Sequence, residues 1–128
     1  MIRKNYVVRG QDVDDCMVME DTAYLTCALR LVYHFLFEKG YSKEKLNTLK
    51  LDLMVKDFKL ISYKKLMFTE QFSLEMSYCY KKEMMNIKSY YFNSQNFLCA
   101  EMTLEVYWFN YNCGQIIAVP KPLRDSIS

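Results

Sequence analysis

The sequence predicts an α+β fold in which a curled antiparallel sheet wraps around one long, buried helix. Three observations predict it: one long apolar helix near the start, four or five strand-like runs after it, and no internal repeat or linker. Apolar faces of helices and sheets must cover each other, and a twisted sheet can curl around a single helix. We therefore expect residues 1–128 to form a single domain.

Residues 22–39 form the one long helix that the pattern predicts. Asp21 or Thr22 can cap its start, and Gly40 follows where a helix-ending glycine is expected. Because apolar residues spread around most of its circumference, we expect the helix to be buried. A helical turn is expected over 42–48. The main apolar stripe has the i, i+3, i+4, i+7 spacing: Leu25, Ala28, Leu29, Val32, Phe35 and Leu36.

The strands are predicted from alternation of apolar and polar residues and from turn-forming residues between the runs. A short strand precedes Arg9. The later strands are expected over 49–58, 68–80, 86–92 and 97–111, with 116–119 pairing back after the turn at Gly114.

Composition excludes several classes of protein. Hydrophobic residues make up 52% of the chain, which argues against disorder, and a net charge of +2 with dispersed lysines argues against nucleic-acid binding. The apolar run 24–37 is too short to span a bilayer and contains Arg30 and His34, so no membrane span is expected. Five cysteines without a C-x-x-C pair indicate free thiols and a cytoplasmic location, and no residues have metal-ligand spacing.

The segment before the helix carries the chemistry. Asp12 and Asp14 lie one residue apart, directly before the helix start. The N-terminus of a helix presents partial positive charge and free N–H groups, which can hold a carbonyl oxygen. A carboxylate beside such donors is a candidate site for acyl chemistry. The alternative is a turn aspartate that bonds its own backbone.

From Val8 to Arg124 the chain resembles the 4-hydroxybenzoyl-CoA thioesterase family of acyl-CoA thioester hydrolases, which has the hot-dog fold. The resemblance rests on a D-x-D motif, a helix start, a glycine after the helix, and a closing hairpin with a proline. The matching residues are Asp12-Val-Asp14, Tyr24-Leu25, Gly40-Tyr-Ser42, Gly114 and Val119-Pro120.

The resemblance implies a role for each residue around this motif. Asp14 would act as nucleophile or as general base for water, and the backbone N–H of Asp21 would hold the oxyanion. Met17, Val18 and Met19 would contact the acyl chain. The expected function is therefore hydrolysis of an acyl-CoA or acyl-carrier-protein thioester.

The resemblance also implies a coenzyme A subsite and an assembly. Lys88 and Ser89 fall where relatives bind the phosphates of coenzyme A, although a lysine there is also ordinary solvated surface. No cofactor is expected beyond the coenzyme A of the substrate. Relatives place the ligand between subunits, so a homodimer or homotetramer is expected.

Four positions depart from the family pattern. Met17 stands where the family has a loop glycine, Ala23 replaces the helix-start asparagine, and Glu20 and Asp21 add negative charge at the helix start. These departures motivate an alternative: a hot-dog protein that binds an acyl thioester without hydrolysing it. A dehydratase is a third hypothesis, for which no Asp/Glu and His pair stands at the expected positions.

Overall fold

The long helix and the strands lie where the sequence predicts them, with small shifts at their ends. The computed structural model describes residues 2–124. A 3₁₀ turn covers Gly10–Asp12. In chain order, the other elements are β1 (Ile2–Val7), α1 (Asp21–Glu38), α2 (Lys43–Leu49), β2 (Leu51–Ser62), β3 (Gln71–Lys81), β4 (Met84–Asn93), β5 (Leu98–Asn110), β6 (Gln115–Ile117) and α3 (Lys121–Arg124).

The strands form one antiparallel sheet in the order β1-β3-β4-β5-β2, and β6 pairs with the end of β5. Inward residues alternate with outward ones along β3, β4 and most of β5, because successive side chains of a strand point to opposite faces. On β3 the buried set is Phe72, Leu74, Met76 and Tyr78, and on β5 it includes Met102, Leu104, Val106 and Trp108.

Helix α1 supplies the other half of the core. Ala28, Leu31 and Leu36 have no exposed surface, and they belong to one continuous cluster with the inward side chains of the sheet. Four of the six residues in the predicted stripe are buried against the sheet, whereas Leu25 and Leu29 are half-buried at its margin. The buried face also includes Tyr24, Cys27 and Leu31. The α+β architecture with a sheet curled around one long helix is confirmed.

The expectation that α1 is buried nearly all round is wrong for one face. Thr26, Arg30 and His34 are exposed, and the Phe37 side chain is 64% exposed. His34 Nε2 lies 3.0 Å from Glu38 Oε1, one turn later, in an exposed pair. The curled sheet therefore covers one side of the helix and leaves the other side open.

Differences from the predicted bounds arise at residues with left-handed backbone. Lys50 has φ 59°, which ends α2 and delays the start of β2 to Leu51. Thr69 has φ 75°, so the strand expected from residue 68 begins at Gln71. Ser42 caps α2 by accepting the Lys45 N–H at 3.1 Å.

Candidate functional site

The D-x-D segment forms a short antiparallel ribbon that leads directly into α1. Val13 and Met19 form a bridge across this ribbon. The Asp14 N–H donates to the Val18 carbonyl at 2.9 Å, and the Glu20 N–H donates to the Asp12 carbonyl at 2.8 Å. These bonds hold the motif next to the helix start.

The Asp14 carboxylate is fixed through one of its two oxygens. Its Oδ1 accepts the N–H groups of Cys16 at 2.8 Å and Val18 at 3.1 Å. Its Oδ2 has no hydrogen-bond partner within residues 2–124, and the residue is exposed. The side chain thus makes the local backbone bonds of a turn aspartate and still presents one oxygen to a ligand.

The tip of the ribbon contains a strained residue. Met17 has φ 64°, in the left-handed region that favours glycine, and its N–H donates to the Asp14 carbonyl at 3.0 Å. This is the position at which the resembled family has its loop glycine. The methionine is 52% exposed.

The three residues expected to contact an acyl chain divide into two groups. Met17 is exposed and Val18 is half-buried, so both have accessible surface. Met19 is only 4% exposed and packs in the core. Val18 also forms a bridge with Met67, which adds a third segment to the ribbon.

Helix α1 begins at Asp21, with Glu20 as the residue before it, and Glu20 makes no side-chain capping bond. The expected capping by Asp21 or Thr22 is therefore wrong. The Ala23 N–H donates to the Glu20 carbonyl at 2.9 Å, whereas the Asp21 and Thr22 N–H groups have no acceptor in the part of the chain that the structure describes. Two donors at the helix start remain available.

Lys88 lies on the outer face of the sheet. Lys88 and Lys59 are both register partners of Thr103, from β4 and β2 respectively, so the three residues lie side by side across the sheet. All three residues line a depression of about 70 Å³, which Glu101 also lines. Lys59 and Thr103 were not predicted, because their proximity to Lys88 depends on strand register.

Ser89 does not share that surface. Its side chain has no exposed area, its register partners are Met76 and Met102, and its Oγ is buried without a partner within residues 2–124. The predicted contact between this side chain and coenzyme A is therefore wrong, because a strand turns adjacent residues to opposite faces.

Two general properties concern the described residues. No helix among residues 2–124 is long and apolar enough to cross a membrane. Within the same residues, no group of three or more His, Cys, Asp or Glu side chains is placed to hold a metal ion.

Comparison with solved structures identifies the architecture. A gentisyl-coenzyme A thioesterase superposes with a TM-score of 0.86 at 17% identity, covering 96% of this chain and 99% of that one. The fold is the hot-dog fold. A DHNA-CoA thioesterase from Staphylococcus aureus gives a TM-score of 0.83 at 15% identity, covering 91% of this chain and 78% of the other.

A third structure is a hypothetical protein from Staphylococcus aureus determined in complex with CoA. Its TM-score is 0.86 at 14% identity, with 96% of this chain and 78% of that chain covered. No family model matches the sequence, and no curated protein matches it. The similarity to these hot-dog proteins is therefore one of fold.

Proposed function

We propose that this chain hydrolyses an acyl-CoA thioester, with Asp14 as the reacting carboxylate. The proposal rests on two features of the segment that runs from Asp14 to the start of α1. The Asp14 carboxylate is held by Oδ1 and free at Oδ2, and the helix that follows begins with unbonded N–H groups at Asp21 and Thr22. The hot-dog neighbours named as coenzyme A thioesterases support the same reaction.

The proposed reaction needs no group outside this loop and water. The helix N–H groups donate hydrogen bonds to the carbonyl oxygen as negative charge develops on it. Asp14 either attacks the carbonyl carbon or takes a proton from the water that does so. With water as the nucleophile, its oxygen bonds to the carbonyl carbon, the C–S bond breaks, and the proton taken by Asp14 passes to the leaving sulfur. With Asp14 as the nucleophile, the C–S bond breaks to leave an anhydride with Asp14, and water then cleaves that anhydride, which releases the carboxylic acid, restores the Asp14 carboxylate and supplies the proton of the thiol. Met17 and Val18 are proposed to contact the acyl chain.

The test is thiol release from a panel of short, long and aromatic acyl-CoAs, comparing the parent with Asp14→Asn. Asparagine keeps an acceptor for the Cys16 and Val18 N–H groups, so the loop is retained while the charge is lost. We expect a loss of about 100-fold or more. The matched control is Asp15→Asn, an exposed neighbour, which should hydrolyse as fast as the parent. Undiminished turnover by Asp14→Asn would exclude this mechanism.

We propose that two lysines on the outer face of the sheet, Lys59 and Lys88, bind the phosphates of coenzyme A. Lys59 and Lys88 flank Thr103 and have no carboxylate oxygen within 4.0 Å among residues 2–124. Two ammonium groups and a hydroxyl suit a phosphate oxygen. An acyl-carrier protein, whose prosthetic group also carries a phosphate, is the second candidate substrate.

We propose that two copies of the chain form a homodimer through the unpaired edge of β2. This 12-residue strand pairs only with β5 within the described residues, and Met54, Phe58 and Ile61 along it are each about two-fifths exposed. Open, apolar edge strands pair with other chains, and an antiparallel pair satisfies two-fold symmetry. Sedimentation analysis should give a dimer or tetramer at micromolar concentration, and a monomer would contradict the proposal. The cytoplasmic location stays a prediction from the cysteines.

A second candidate function is binding of an acyl thioester without hydrolysis. The specific observation in its favour is the charge at the helix start, where Glu20 and Asp21 are both exposed acids beside the proposed oxyanion donors. Negative charge there opposes a developing oxyanion. Saturable binding of acyl-CoA without thiol release across the whole panel would favour this function, and measurable turnover would exclude it.

A further inference from the structure

The ribbon that carries Asp14 has a third segment, and its register places one more apolar side chain on the Asp14 side. Asp14 and Val18 are opposite each other, because the Asp14 N–H donates to the Val18 carbonyl at 2.9 Å and the Asp14 Oδ1 accepts the Val18 N–H at 3.1 Å. Val18 and Met67 are opposite each other in the next pair of segments. Opposite residues of an antiparallel pair point to the same face, so Asp14, Val18 and Met67 form one row across the ribbon.

The adjacent row of the same ribbon has the opposite orientation. Val13 is bridged to Met19, and the Met19 N–H donates to the Leu66 carbonyl at 2.8 Å. Met19 is 4% exposed and Leu66 has no exposed surface. By contrast, Asp14 is exposed and Met67 is 38% exposed. Because successive residues of an extended segment alternate between faces, the Asp14 row lies on the accessible face of the ribbon and the Met19 row lies in the core.

The backbone around Met67 is held by hydrogen bonds on two sides. The Met67 N–H donates to the Glu70 carboxylate at 2.9 Å, and the Glu70 N–H donates to the Met67 carbonyl at 3.0 Å. The next residue, Phe68, donates its N–H to the Met17 carbonyl at 2.8 Å, which joins this loop to the ribbon. Because the backbone is already fixed, only the Met67 side chain has to be ordered when a ligand covers it, which lowers the entropic cost of binding.

The row offers an apolar path that begins at the carboxylate. Val18 has no hydrogen-bonding side-chain group, and Met67 has only a weak thioether acceptor on a flexible chain that adapts to the shape of a ligand. Neighbouring strands are about 4.8 Å apart, so the Met67 backbone lies roughly 10 Å across the ribbon from that of Asp14. An acyl chain whose carbonyl carbon lies beside Asp14 therefore needs several methylene groups to reach Met67. An acetyl group is too short, whereas an octanoyl chain is long enough.

We propose that Met67 is a specificity-determining residue, and that the substrate has an aliphatic acyl chain of medium length that crosses the ribbon from Asp14 over Val18 to Met67. The inference rests on the proposed hydrolysis at Asp14 and goes beyond it by naming the acyl class. A hydroxylated aromatic acyl group would need a hydrogen-bond partner for its hydroxyl, and neither Val18 nor Met67 supplies a strong one. The sequence did not indicate Met67, because the ribbon and its loop are far apart in the chain.

The experiment compares kcat/KM for octanoyl-CoA and acetyl-CoA, which share the coenzyme and differ only in the acyl chain. The parent should prefer octanoyl-CoA. Met67→Ala should lower kcat/KM for octanoyl-CoA by about tenfold and leave the value for acetyl-CoA unchanged, because only the longer chain reaches position 67. Met67→Leu keeps an apolar side chain of similar size and should retain the preference.

Ile116→Ala is the matched control. Ile116 is a similarly exposed apolar residue on β6, which pairs with the end of β5, whereas the loop before Met67 bonds to the start of β5 through the Tyr63 N–H and the Cys99 carbonyl. This variant should leave kcat/KM unchanged for both substrates. Circular dichroism checks that each variant is folded. Absence of a preference in the parent, or an equal loss for both substrates in Met67→Ala, would overturn the proposal.

A binding measurement separates this proposal from the proposed hydrolysis. Asp14→Asn should hold a thioester without consuming it, so its affinity for each substrate can be measured by calorimetric titration. In this variant octanoyl-CoA should bind more tightly than acetyl-CoA, and adding Met67→Ala should remove most of the difference. If the parent hydrolyses neither thioester and this difference is seen, the proposed hydrolysis fails and the acyl contact is supported. If Asp14 proves necessary for turnover and the difference is absent, the acyl contact alone fails.

Discussion

The Tyr91 hydroxyl on β4 donates a 2.6 Å hydrogen bond to the backbone carbonyl of Tyr24 in the first turn of α1. Both side chains are buried, and their rings meet edge to face with centroids 5.0 Å apart. The unbonded N–H groups of Asp21 and Thr22 belong to the same turn of the helix. The contact therefore fixes the start of α1, and with it the proposed oxyanion donors, against the sheet.

Removing this hydroxyl should lower stability. We expect Tyr91→Phe to reduce the free energy of unfolding by about 1–2 kcal/mol, because a buried hydrogen bond is lost while the ring remains. Urea unfolding followed by circular dichroism measures the change. Tyr90→Phe is the matched control, since Tyr90 lies on the outer face and is partly exposed. An equal loss in both variants would contradict a specific role for the Tyr91–Tyr24 bond.

Stability should fall in alkaline solution. Burial raises the pKa of Tyr24 from 10.0 to about 12 and that of Cys27 from 9.0 to about 11. Because both folded-state values lie above the unfolded ones, the folded chain retains protons that the unfolded chain releases. The contribution is thus complete below pH 9.0 and is lost as the pH rises through 11 and 12.

The measurement is the urea midpoint as a function of pH between 9.0 and 11. Tyr24→Phe should make the decline above pH 10.0 less steep, because its titrating group is absent. Tyr80→Phe removes an exposed phenol and should leave the slope unchanged. A midpoint that stays constant over this range would contradict the expected linkage.

The sequence predicts features that depend on residues close together in the chain, and it does not predict features that depend on contacts between distant segments. The helix and the strands follow from local periodicity, and their predicted positions are confirmed. The left-handed Lys50 and Thr69 could not be predicted, because neither is the glycine or asparagine that usually signals such a turn. The Lys59–Thr103–Lys88 cluster depends on strand register, which no local pattern contains.

The opposite orientations of Lys88 and Ser89 follow from their adjacency in a predicted strand. Lys88 and Ser89 were predicted to bind the same ligand, yet adjacent residues of a strand face opposite sides. The structure has Lys88 exposed and Ser89 fully buried. At the candidate site, the sequence predicts Asp14 and the helix start, whereas the free Oδ2 and the unbonded N–H groups depend on the three-dimensional hydrogen bonding of the loop.

Glycine at position 17 should stabilise the chain. Met17 has φ 64°, a conformation that costs residues with a Cβ about 1 kcal/mol relative to glycine. We expect Met17→Gly to raise the free energy of unfolding by roughly 0.5–1 kcal/mol, measured by urea unfolding. Val18→Gly, the same change at the next residue in a bridged, extended segment, should lower it. A loss of stability in Met17→Gly would mean that the methionine side chain stabilises the loop by more than the backbone strain costs.

The outer-face lysines should affect binding of the coenzyme rather than the chemical step. If Lys59 and Lys88 contact phosphates, Lys88→Ala should raise KM for an acyl-CoA by roughly threefold and leave kcat unchanged, since exposed charge contacts are weak. The same variant should leave KM unchanged for an acyl-pantetheine thioester, which lacks the phosphates. Lys81→Ala controls for a general loss of positive charge. A matching rise in KM for the pantetheine substrate would argue against phosphate contact.

The Ser89 hydroxyl should be needed neither for stability nor for binding of acyl-CoA. Its Oγ is buried among apolar neighbours without a hydrogen-bond partner within residues 2–124, so its burial opposes folding. We expect Ser89→Ala to raise the free energy of unfolding by about 1 kcal/mol, because the desolvation cost of the hydroxyl is removed with little change in shape. Ser77→Ala, a half-buried serine on the outer face, should change it by less than roughly half as much. KM for acyl-CoA should stay at the parent value in Ser89→Ala. A rise in KM together with a loss of stability would instead indicate that the hydroxyl supports the ligand site from within the sheet.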